Sequence, residues 1–147
     1  MLRDIWLRVK KGYANATAVY EEMMELNKND NQGVRYALID CYICEKSYDK
    51  AWQLIEGSDE NSSFFNWVKV LISYATKGEV AAQKALKAAV KQNPYVLPFL
   101  SGKKRLPRYA PVSYTPGDKD EAIICVKILK DAWKIHKEAK NWLKSKV

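Results

Sequence analysis

Cys41-Tyr-Ile-Cys44 has the spacing of a dithiol redox pair or of half a zinc site. Redox work requires the first cysteine at a helix N-terminus, where the dipole depresses its pKa, and a structural zinc requires two further ligands. The pair instead falls inside a predicted helix, no second pair exists, and the chain has 1 histidine, so core packing is the expectation for both thiols. That histidine, His136, lies on the apolar stripe of the last predicted helix and reads as a hydrogen-bonded structural residue. Gly-x-Ser-x-Gly, the phosphate loop and His-Glu-x-x-His are all missing, and Glu21-Glu22 and Asp59-Glu60 read as solvated carboxylates. The chain is expected to have no catalytic residues, no cofactor and no metal.

The cations are better organised. Lys130, Lys134, Lys137 and Lys144, flanked by Lys127 and Lys140, recur every three or four residues along one predicted helix. Lys103, Lys104, Arg105 and Arg108 form a second cluster beside Phe99 and Tyr109. Cations interleaved with aromatics can neutralise phosphates and stack bases. The same charges would serve an anionic protein partner, or would only keep a helix face solvated. Residues 1–100 hold 13 Lys and Arg against 12 Asp and Glu, whereas residues 101–147 hold 12 against 5. Nearly all of the net +8 therefore belongs to the last third, and a local imbalance of this kind bears on partners.

At 147 residues, 48% of them hydrophobic and 12% aromatic, the chain is long and apolar enough for one ordinary domain with a real core. Three cysteines (Cys41, Cys44 and Cys125) do not make a disulfide framework. The first turns, Met1-Leu-Arg-Asp-Ile-Trp-Leu-Arg, carry charges that a signal peptide would not, and no apolar run reaches the roughly 18 residues of a membrane span. The expectation is a cytoplasmic protein without a membrane segment.

The elements that must position these residues announce themselves by repetition. Tyr13, Ala16 and Tyr20 return 35 residues on as Tyr48, Ala51 and Ile55. A large aromatic, a small residue three on and a bulky residue four further suit the second helix of a helical hairpin, the alanine allowing a neighbouring helix to approach. A period near about 34 residues points to stacked helix pairs. The first hairpin is expected as Ile5–Lys11, a turn at Gly12 and a helix over Asn15–Leu26. The second runs from Val34 to Glu45, turns at Lys46-Ser47 and resumes over Tyr48–Glu56. The third begins at Phe64, with Ser62 or Ser63 as its cap, turns at Gly78 and continues through an alanine-rich helix to Asn93-Pro94.

Every proline (94, 98, 107, 111 and 116) falls within residues 94–117, which predicts an extended connector in place of a helix. Its aromatics, Tyr95, Phe99, Tyr109 and Tyr114, predict that it wraps against the hairpins. Asp118 with Glu121 three residues on reads as a capping box, followed by a basic helix whose apolar stripe is Ala122, Val126, Leu129, Trp133, His136, Ala139 and Leu143.

Leu38, Tyr42, Tyr48 and Ala51, and then Trp67, Tyr74, Gly78, Ala89 and Pro94, resemble the pattern of tetratricopeptide (TPR) repeats over about residues 1–94, with Ile39 where a small residue is usual. That resemblance implies a groove lined by the first helix of each pair, which here offers Ile5, Arg8, Tyr36, Asp40, Ile43, Phe65, Val68 and Ile72. It lacks the lysines and asparagines that hold a peptide's C-terminal carboxylate. It would suit an amphipathic helix or extended apolar segment, unless the C-terminal segment itself fills it. Asn93-Pro-Tyr-Val-Leu-Pro-Phe-Leu100, Lys103-Lys-Arg-Leu-Pro107, Gly117-Asp-Lys-Asp-Glu-Ala122 and Trp133 resemble the C-terminal part of the suppressor-of-tumorigenicity-7 family and its bacterial repeat-containing relatives. The resemblance implies an interaction fold with no assigned reaction. Lys137-Glu138 stands where those relatives would carry a Pro-Gly step, so the last helix is expected to run unbroken to Trp142.

The sequence thus predicts an all-α domain, residues 1–147. About three TPR-like hairpins (1–94) form a right-handed solenoid, with a proline-rich wrap (95–117) and a basic capping helix (118–147). The expected function is non-catalytic binding of a protein or peptide segment, with nucleic-acid binding through the basic third as the alternative.

Overall fold

The computed structural model describes residues 12–26, 32–57 and 62–147, and these contain eight helices and no strand. The groove positions Ile5 and Arg8 lie outside the described residues. The chain divides into two compact units, Met1–Ser58 and Asp59–Val147.

The first unit holds α1 (Gly12–Leu26), α2 (Gln32–Cys44) and α3 (Tyr48–Glu56), with α2 packed on both of its neighbours. Gly12, expected as a turn, is instead the first residue of α1. The repeated alanines do what their size allows: Ala16 on α1 and Ala51 on α3 are wholly buried, with Tyr20 and Ile55 beside them in sequence register also buried. Two hydrogen bonds tie α1 to α2 and its turn. The Tyr42 hydroxyl donates to the Glu21 carboxylate over 2.6 Å, and the Thr17 hydroxyl donates to Glu45. Burial first, and then that carboxylate, push the Tyr42 phenol well up. At the α2–α3 turn, Ser47 N–H donates to Tyr42 C=O (2.7 Å) and Lys46 N–H to Ile43 C=O (3.0 Å). This is the paired bonding of a Schellman ending, and it places Lys46 at φ 63° where glycine is the usual occupant.

The second unit holds α4 (Ser63–Lys77), α5 (Glu79–Gln92), α6 (Val96–Leu100), α7 (Lys119–Ile135) and α8 (Lys137–Lys144). The Ser62 hydroxyl caps α4 by accepting from Phe65 N–H (3.3 Å). α4 and α5 form a hairpin across the single residue Gly78, whose φ of 93° lets the chain reverse where a side chain would be strained. α4 is the centre of this unit, because α5, α7 and α8 all pack on it. Its sequence fits that position: Ser63, Phe64, Phe65, Trp67, Val68, Val70, Leu71 and Ile72 are all buried, an apolar circumference too wide for a surface helix.

Two expectations for the tail are corrected. The connector is not helix-free, since Val96–Leu100 forms α6, packed on α7 with Val96, Phe99 and Leu100 buried. Pro98 is tolerated there because it is the third residue, where a backbone N–H would have no intrahelical partner. Beyond α6 the connector's tyrosines are not buried: Tyr109 is 62% exposed and Tyr114 is exposed as well, as is Tyr95 just before α6. The last helix is also broken. His136 leaves helical geometry at φ −90°, ψ 72°, and α8 begins anew at Lys137. The His136 ring Nδ1 lies 2.7 Å from Ala132 C=O, so the side chain competes for a carbonyl of the last turn of α7.

Candidate functional site

Two polar constellations stand out in the second unit, one buried and one exposed. The buried one centres on Glu121, a carboxylate only 4% exposed in the first turn of α7. Its Oε1 accepts from the Ser63 hydroxyl (2.6 Å), the Asn93 amide (2.9 Å), Gly117 N–H (2.9 Å) and, at 3.4 Å, the Gln92 amide. Its Oε2 accepts from Ser63 N–H (3.3 Å), at the N-terminus of α4, where the helix dipole favours a negative charge. Burial alone would push the carboxyl up, but these donors outweigh it and hold Glu121 below its usual value. The Asn93 amide also donates to Asp118 C=O (2.9 Å), and the Asp118 carboxylate accepts from Glu121 N–H (2.7 Å), which holds its own carboxyl low. Half of the expected capping box is therefore present. The other half is replaced, because the Glu121 side chain joins α4, α5 and the Gly117 turn and does not reach back along its own helix.

This clasp accounts for the distinctive tail residues Asn93, Gly117, Asp118 and Glu121 as structural. Ser63, Asn93 and Glu121 are buried at its centre, so it reads as a fastening of the fold. Sequence reasoning passed over Ser63 and Glu121 as a pair. The available signal was that Glu121 stands four and eight residues before Cys125 and Leu129, on the buried face of an amphipathic helix.

The exposed constellation is cationic. Lys103, Lys104, Arg105 and Arg108 in the connector, and Lys130, Lys134 and Lys137 on α7 and α8, are all exposed. None of them forms an ion pair with an acid among the described residues. The Lys127 ammonium donates to Arg108 C=O at 3.5 Å, which brings the connector cluster to the side of α7 that carries Lys130 and Lys134. Exposed Tyr109 and the fully exposed Val112 follow directly in the connector. The two charge clusters recognised separately in the sequence thus adjoin.

The proposed groove residues have a different fate. Tyr36, Asp40 and Ile43 are buried in the first unit, and Phe65, Val68 and Ile72 in the second. Ile43 and Val68 have no exposure at all, whereas Tyr36 and Ile72 keep 8% and 5%. For the α4 members the reason is visible: α7 and α8 pack on α4, with Tyr74 and Trp142 rings 5.3 Å apart.

Cys41 is buried and Cys44 half-buried along α2, and neither is in a disulfide. Burial pushes the Cys125 thiol well up. Among the described residues no three His, Cys, Asp or Glu side chains are placed to share a metal ion, and no helix is long and apolar enough to cross a membrane.

Comparison of the chain with family models, with curated proteins and with solved structures finds no match.

Proposed function

We propose that this protein is a non-catalytic interaction module of the cytoplasm that seats a segment of another protein on the cationic face of its second unit. The observation that carries this reading is that Lys103, Lys104, Arg105, Arg108, Lys130, Lys134 and Lys137 stand exposed with no ion pair among the described residues, while the six described hairpin positions that would line a groove are buried. Seven uncompensated cations repel one another and favour an external anion. The reading of the hairpins as TPR-like repeats is supported by the α2–α3 and α4–α5 hairpins and by the repeated buried alanines. The proposed docking surface is moved from the groove to the tail.

A second reading, a nucleic-acid-binding accessory, is favoured by Tyr95, Tyr109 and Tyr114, which are exposed in the same connector that carries four of the cations. Affinity capture from lysate with the K130E/K134E/K137E protein as the control, repeated after nuclease treatment, separates the two. Protein partners that resist nuclease and vanish with the triple variant uphold the first reading. Loss of every partner on nuclease treatment favours the second, and capture indifferent to the triple variant sinks both.

A further inference from the structure

The solvent side of α7 is not uniformly charged. Lys127, Lys130 and Lys134 follow one another at helical spacing along about 10 Å of helix, at 1.5 Å per residue, and Lys137 continues the row across the break at His136. Beside that row, at steps of four and seven residues, runs a second one of Ile124, Ile128 and Ile135. Ile124 and Ile128 are half-buried, and Ile135 is 40% exposed. At about 100° per residue the two rows lie side by side, separated by Asp131. An incompletely covered isoleucine seam next to lysines that form no ion pair among the described residues has no use for a phosphodiester backbone, which offers charge without an apolar flank. It matches a partner that is apolar and acidic on adjacent stripes.

We infer that α7 docks an acidic amphipathic helix of another protein, its apolar side chains on Ile128 and Ile135 and its carboxylates, three or four residues apart, on Lys127, Lys130 and Lys134. The inference rests on the reading of the cationic face as a protein-docking surface and names the partner's chemistry. Charge complementarity supplies the attraction and the orientation; the isoleucine seam supplies selectivity for a helix over any other polyanion. A helix laid along α7 repeats its carboxylates with the spacing of the lysines, so one register satisfies several pairs together.

The test uses the full chain and three labelled probes read by fluorescence anisotropy. They are an 18-residue Glu/Leu/Ala peptide with glutamates at i, i+4 and i+7 and leucines on the adjoining stripe, a scrambled peptide of the same composition, and an oligouridylate of equal charge. The expected result is at least tenfold tighter binding of the patterned peptide than of either control. Ile128→Gln with Ile135→Gln should erase that preference at unchanged helicity by circular dichroism, and K130E/K134E should remove binding of all three probes. Equal binding of patterned and scrambled peptides overturns the helix inference and leaves the cationic docking surface standing. Tighter binding of the oligouridylate overturns the inference in favour of nucleic acid. Peptide binding indifferent to K130E/K134E overturns both the inference and the surface on which it rests.

Discussion

A single carboxylate does more for the second unit than any other polar residue. Glu121 gathers donors from α4, from the end of α5 and from the turn at Gly117, and its charge is matched by hydrogen bonds with no cation among them. Replacing it with glutamine keeps the shape but turns an acceptor into a donor among donors, so Glu121→Gln should cost about 1–3 kcal/mol, read as a lower urea midpoint at neutral pH. The sign of its pH dependence follows from the depressed carboxyl. The unfolded chain binds the proton first, so Glu121 contributes its full stabilisation above its ordinary value of 4.5 and loses it as pH falls through the lower folded value. Unfolding midpoints measured on both sides of pH 4.5 should drop more steeply for the native chain than for Glu121→Gln; parallel curves would show that the clasp does not titrate with folding. Lys46 offers the opposite sign. It holds a left-handed conformation at φ 63° that disfavours side chains by on the order of 1 kcal/mol, so Lys46→Gly should raise the midpoint of thermal unfolding.

At the scale of elements, the α7–α8 break was concealed by a continuous apolar stripe. Ala122 through Leu143 keeps helical spacing across His136, and nothing in that periodicity distinguishes one helix from two with a local interruption. The interruption comes from His136, whose ring competes for Ala132 C=O, and from the packing of α8 on α4 through Trp142. Lys137, as first residue of α8, has the geometry that accepts proline, so Lys137→Pro should change stability by less than about 0.5 kcal/mol, against roughly 3 kcal/mol in an unbroken helix. Denaturant titration of this one variant decides between the two. Other elements were legible for clear reasons. The α4–α5 hairpin was readable because Gly78 is flanked by two long periodic segments, and α3 because Tyr48 and Ala51 repeat an earlier pattern. The short helix α6 was not, because three prolines nearby outvote five residues held by burial of Val96, Phe99 and Leu100. The groove positions were less legible for a related reason: residues of the right type for a lining are also the right type for a core, and periodicity marks the face without saying what covers it. Phe65→Ala makes the difference measurable. As a core residue it should destabilise the chain by about 3–5 kcal/mol, where a groove residue would lose a ligand at little cost to folding.

The whole molecule separates charge as well as structure. Residues 59–147 carry 17 Lys and Arg against 8 Asp and Glu, whereas residues 1–58 carry 8 against 9. The unit that holds the surplus also holds the central buried helix α4, the clasp and the cationic face, and its helix contacts close within it. Eighty-nine residues with one such core fall in the size range that folds alone, while a unit of fewer than sixty is marginal. A fragment of residues 59–147 should therefore unfold cooperatively and bind the patterned acidic peptide within about threefold of the full chain. Its affinity should fall as salt is raised, because its surplus charge is uncompensated. The complementary fragment, residues 1–58, should show no binding and a shallow thermal transition. Circular dichroism melts with anisotropy titrations at two ionic strengths test both halves. If the 59–147 fragment folds but does not bind, residues 1–58 must contribute to the docking surface. If it does not fold, the packing of α5, α7 and α8 around α4 is insufficient by itself, and the clasp at Glu121 is a fastening that depends on the rest of the chain.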